Sequence, residues 1–208
     1  MRRSDFVVVV LWTMTVGPAA LAEPISVRHI QRPIHRFMVA RSEDGKTIAN
    51  GEFSQVVQGD EVTMRLTYKF LRGSLDDETT AYRQQDTFRL ERNHHIQKGP
   101  FFAKPVDSTV EAATGIATSR TADKNGNIHV ESEHMELPDD LANGFVGTLL
   151  LNVPHNTTRF RVGMLLADDQ SRRVVSSCQL RPRSTISSEA SVNAITPTAD
   201  KTSPRWLQ

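Results

Sequence analysis

The residues in this chain best suited to chemistry are the acidic run Asp76-Asp77-Glu78 and the histidines His94, His95, His129 and His134. Three carboxylates on a loop supply oxygen ligands for a divalent cation. A calcium loop spaces its acids at alternate positions around a central glycine, and this run does not, so the spacing favours a solvated or capping turn. Four imidazoles in one domain raise zinc. Neighbours on a strand point to opposite faces, so His94 and His95 can share an ion only across a bulge. His129 and His134 are five apart, which again sends them to opposite faces of a regular strand, and the helical HExxH arrangement is absent. A site can still be assembled from one member of each pair with Glu131 or Glu133. Histidines hydrogen-bonded at a strand end are the simpler reading, and neither a metal nor another cofactor is expected.

Other chemistries lack their residues. There is no Gly-x-Ser-x-Gly, no G-x-G-x-x-G and no phosphate-cradling G-x-x-x-x-G-K. Ser74 beside Asp76 and Asp77 reads as a turn residue. Cys178 is the sole cysteine, with no evident base nearby, so it offers neither a disulfide nor a catalytic thiol.

The elements that must position these groups are antiparallel strands. Asp44-Gly45, Gln58-Gly59-Asp60, Arg72-Gly73-Ser74 and Asn125-Gly126-Asn127 are turn chemistry between extended segments. Glu61 to Phe70 is the clearest strand, with Val62, Met64, Leu66, Tyr68 and Phe70 on one face and Thr63, Arg65, Thr67 and Lys69 on the other. Thr79 to Leu90 repeats the pattern around Tyr82 and Phe88, and His94 to Gln97 continues it up to Gly99-Pro100. Asp107 to Thr118 and Ile128 to Glu136 read as a further pair, and Thr158 to Leu166 as a last strand. One helix is expected over about 138–152: Pro138 suits its first turn, Asp139 and Asp140 complement the positive end, and Leu141, Phe145 and Leu149 recur at i, i+4, i+8. The predicted fold is mainly β, a curved antiparallel sheet or partly open barrel with that helix packed against it.

The first 22 residues read as a secretory signal peptide. Arg2-Arg3 begin it, Phe6 to Val16 form an apolar run, and Ala20-Leu21-Ala22 is a small-x-small exit that puts cleavage between Ala22 and Glu23. The run is too short to span a bilayer, so an exported periplasmic or secreted product without a transmembrane span is expected. Removing 22 of 208 residues leaves 186, enough for one domain. The expected organisation is a signal peptide at 1–22, an extension at 23–36, a β-rich domain at 37–169 and a tail at 170–208. Residues 171–208 contain no glycine and almost no alternating apolar pattern, which predicts disorder. Twenty-five Lys and Arg balance 24 Asp and Glu, so no field exists to steer the chain onto nucleic acid.

Gly73-Ser74-Leu75-Asp76-Asp77-Glu78-Thr79, then His94-His95-Ile96-Gln97-Lys98-Gly99-Pro100, and Leu137-Pro138 with Asp140-Leu141-Ala142-Asn143-Gly144, resemble segments of a family of exported bacterial proteins with no established activity. The resemblance runs over about 37–167 and implies no catalytic role for any residue. Members of that family continue with further strands and glycine-rich hairpins, which implies that 170–208 is truncated or frameshifted sequence. The leading functional expectation is a non-enzymatic envelope or periplasmic binding or interaction domain, with an apolar ligand or an envelope protein as partner. The rival is a metal-dependent hydrolase using His94 or His95, His134 and one of Asp76, Asp77 or Glu78. A degenerate gene product without its own function is a third reading.

Overall fold

A computed structural model describes residues 24–123, 125–154, 157, 160–167 and 173–180. The expected cleavage site between Ala22 and Glu23 and the stretch beyond residue 180 lie outside the described residues. The chain is mainly β. Eight strands form one antiparallel meander in sequence order: β1 (Ile34–Arg41), β2 (Thr47–Gln58), β3 (Glu61–Phe70), β4 (Leu75–Gln84), β5 (Phe88–Lys98), β6 (Val106–Glu111), β7 (Ile116–Ala122) and β8 (Ile128–His134). The sheet does not close, because β8 does not pair with β1. The expected reversals at 44–45, 58–60, 72–74 and 125–127 are the β1–β2, β2–β3, β3–β4 and β7–β8 connections.

Two reversals carry little turn signal and divide segments that read as single strands. Gln85-Asp86-Thr87, with neither glycine nor proline, separates β4 from β5, and Thr87 is held by a bridge to Ser26. Ala112-Ala113-Thr114-Gly115 separates β6 from β7, so Asp107 to Thr118 is two strands. A register shift between Ala81 and Tyr82, opposite Arg92 and Leu90, is a β-bulge that keeps Tyr82 and Leu90 on the core face.

The expected helix over 138–152 is shorter, α1 (Val146–Asn152). Gly144 takes φ +79, which cannot continue a helix, and Leu141 instead bridges in parallel to Gly163. Residues 138–145 thus form turns that carry the apolar side chains Leu141, Ala142 and Phe145 into the core, where Leu149 of α1 joins them. Phe145 stacks on Tyr82 with ring centroids 4.7 Å apart, and Phe88 packs edge-on to Tyr82. Val62, Met64, Leu90, Val110 and Ala117 complete the sheet's contribution.

Two further pieces lie outside 37–169 or straddle its end. β9 (Phe160–Ala167) pairs antiparallel with β10 (Arg173–Leu180), so the stretch read as a structureless tail supplies a strand. At the other end, Ile25 and Val27 pack on the core, and Asn152 Oδ1 accepts hydrogen bonds from the backbone N–H of Arg28 (2.8 Å) and His29 (2.7 Å). The extension is thus strapped to the end of α1. No helix among the described residues is long and apolar enough to cross a membrane.

Candidate functional site

Strand alternation sorts the chemically able residues onto two faces. On the inner face, which also carries the apolar core, β4 presents Asp76, Glu78 and Thr80 and β5 presents Gln97, His95 and Asn93, each opposite its cross-strand partner. Asp76 Oδ1 lies 2.9 Å from His95 Nε2, and Asp76 Oδ2 accepts from Gln97 Nε2 at 3.2 Å. Asn93 Nδ2 donates to Glu78 Oε1 and to Thr80 Oγ1, both at 2.9 Å. Thr80 and Asn93 are buried where this row meets the core; Asp76, Glu78, His95 and Gln97 are half-buried. Phe53, Leu66 and Tyr68, also half-buried, continue the same face on β2 and β3.

The turn at Asn143-Gly144 seats this row. A side chain on Gly144 would lie 1.9 Å from Thr80 Oγ1, 2.7 Å from Asn93 Nδ2 and 3.1 Å from Glu78 Oε1. Asn143 fixes the turn by exchanging two 2.8 Å bonds with the backbone of Leu165. Segments 73–79, 94–100 and 137–144 therefore converge in space. Even their ends meet: buried Ser74 Oγ accepts from the N–H of Phe101, and Gly99 packs directly on Ser74.

Burial of the His95 ring works against its charged form, but the Asp76 hydrogen bond and the fields of Glu78, Asp76 and Asp77 outweigh it and raise its pKa above the ordinary imidazole value. A raised folded pKa favours folding when the group is protonated. The contribution is complete below the unfolded value of about 6.5 and is lost as pH rises through the folded value. Asp76→Asn is therefore expected to remove stability at pH 5 to 6 and to have a smaller effect above the folded pKa. Urea midpoints of both proteins across pH 5 to 9 check this; equal losses at all pH values would contradict it.

The other sequence candidates point elsewhere. Asp77 and His94 are on the outer face, as neighbours of Asp76 and His95 must be. Arg65 donates two hydrogen bonds to Asp77 (2.8 and 2.6 Å) and Thr67 donates a third, and the Arg65 bonds, over the opposing effect of burial, hold the carboxyl below its usual range. His94 pairs with Asp107 at 3.1 Å. His134 is exposed on β8, three strands from β5, a separation of about 14 Å at the usual strand spacing. It joins no site with His94 or His95. Among the described residues no group of three His, Cys, Asp or Glu side chains is arranged to hold a metal ion.

No family model, curated protein or solved structure matches this chain. The site therefore rests on its own geometry. Two clefts, of about 280 and 290 Å3, lie away from His95: one between Leu90 and Leu137–Leu141, the other on the outer face between Thr79, His94 and Arg92. Arg92 and Glu111 narrow the second as an ion pair at 3.9 Å. The inner row is distinguished from both by its hydrogen bonding, which ties Asp76 to His95 and Gln97, and Asn93 to Glu78 and Thr80. Sequence reading missed the parts played by Thr80, Asn93 and Asn143, whose only signal was their place in or beside the three segments.

Proposed function

We propose that this chain is a non-enzymatic binding or interaction domain of an exported protein, periplasmic or secreted, with the inner-face row around His95 as its ligand surface. The observation that carries the reading is the convergence of three separate segments on one hydrogen-bonded polar row beside an apolar strip. Half-burying two carboxylates, an imidazole and an amide, and burying a second amide, costs free energy that apolar side chains at the same positions would not. A fold that needed only a core has no use for them. The row offers carboxylate acceptors at Asp76 and Glu78 and donors at His95 and Gln97, flanked by Phe53, Leu66 and Tyr68. That set suits a ligand with an apolar body and a hydrogen-bonding head. The apolar start of the chain and the Ala20-Leu21-Ala22 exit support export. The separation of His134 from His95 weighs against the hydrolase alternative.

Octyl glucoside below its micellar concentration is a suitable probe. Calorimetry should give saturable one-to-one binding that Gln97→Ala and His95→Ala each weaken about tenfold, the equivalent of 1.4 kcal/mol. Glucose alone should bind far more weakly. Absence of saturation, or binding by both variants as tight as that of the unchanged protein, would refute this ligand surface.

A further inference from the structure

The two edges of the sheet carry a second message. β1 has no ladder partner beyond β2, and β8 none beyond β7, among the described residues. Both edges present apolar side chains to water on the outer face: Phe37 is 82% exposed and Val39 52% on β1, and Val130 57% and Ile128 56% on β8. Long edges with exposed apolar residues are templates for strand addition. We propose that β8 of one copy pairs antiparallel with β1 of a second copy, extending the sheet from molecule to molecule.

The register follows from the side chains. Placing Phe37 opposite Val130 also places Val39 opposite Ile128 on the same outer face, and Arg36 opposite Glu131 on the inner face. One alignment thus satisfies two apolar pairs and one pair of opposite charges. A shift by one residue would turn the apolar set of β8 to the wrong face. The charges of the whole strands agree, since β1 carries Arg36 and Arg41 and β8 carries Glu131 and Glu133.

Two features favour a second copy over closure within one chain. An eight-stranded barrel has an interior just wide enough for side chains or one small ligand, and here the inner face already holds Leu141, Phe145, α1 and Val162. Closure also requires a stagger between first and last strands. Yet the cross-strand row Phe37, Glu52, Thr67, Asp77, Ile96, Asp107 runs in register to β6, Asp107 meets Arg120 of β7 as an ion pair at 3.7 Å, and Arg120 pairs with Val130, so the Phe37–Val130 pairing continues that row without stagger.

Such a contact is head-to-tail, and it makes assemblies that grow with concentration rather than a fixed dimer. Sedimentation of the full chain should show the average mass rising between micromolar and several hundred micromolar protein. Phe37→Lys and Val130→Asp are at exposed positions, each new charge lies opposite an unlike one on the neighbouring strand (Glu52 and Arg120), and the thermal melt should stay unchanged, while each weakens assembly at least tenfold. Mixing the two variants should restore it, because the junctions then alternate between an unaltered Phe37–Val130 contact and one in which the new carboxylate faces the new ammonium. A monomer at every concentration would overturn the proposal. So would assembly indifferent to either variant, or variants that stay apart when mixed.

Discussion

Gly144→Ala should be among the most damaging single changes in the chain, lowering stability by about 2 to 5 kcal/mol. Left-handed backbone costs an alanine roughly 1 to 2 kcal/mol, and forcing a methyl into a packed site about 1 to 3 more. Both apply here, since φ is +79 and the new Cβ would lie 1.9 Å from Thr80 Oγ1. Gly147, three residues on, is the internal control. It is exposed within α1 with nothing within 4 Å of a new Cβ, so Gly147→Ala should stabilise by about 0.5 to 1 kcal/mol through helix propensity. Chemical denaturation midpoints of the two variants should move in opposite directions. Stabilisation by both changes would mean that 138–145 continues the helix after all.

Phe145→Ala should cost about 3 to 5 kcal/mol, the range for emptying a buried aromatic site. Phe145 is fully enclosed, stacks on Tyr82 and links α1 to the sheet's inner face. It stands at the N-cap of α1 but makes no side-chain cap bond, so its removal tests packing and not capping. The neighbouring Leu151, two-thirds exposed, should tolerate alanine with under about 1 kcal/mol lost. Comparable midpoints for Phe145→Ala and Leu151→Ala would show that the helix does not dock on Tyr82.

The sheet was legible where alternation and turn chemistry agreed. Glu61 to Phe70 is β3 with the expected bounds, and Val62 and Met64 are in the core. Tyr82 and Phe88 were readable as core anchors because each is a large apolar ring within polar surroundings. The β4–β5 reversal was not readable, because Gln85-Asp86-Thr87 is stabilised by a distant bridge to Ser26 rather than by its own residues. The helix was overextended because i, i+4, i+8 spacing at Leu141, Phe145 and Leu149 fits both a continuous helix and turns that lead into one. Only Gly144 argued for the turns. As for the site, adjacency placed His94 and His95 on opposite faces, but it could not choose which would meet Asp76. That choice depends on the strand pairing of β4 with β5, which aligns Asp76 with Gln97 and Glu78 with His95.

Backbone amide chemical shifts of uniformly labelled protein, followed while octyl glucoside is added, test most directly whether the three converging segments form one ligand surface. The largest changes should fall together on 73–79, 94–100 and 137–144 with Leu66 and Tyr68, saturating with a single midpoint, while Arg65, Arg92 and Glu111 on the outer face stay still. Changes centred on the outer face, or scattered without saturation, would contradict it.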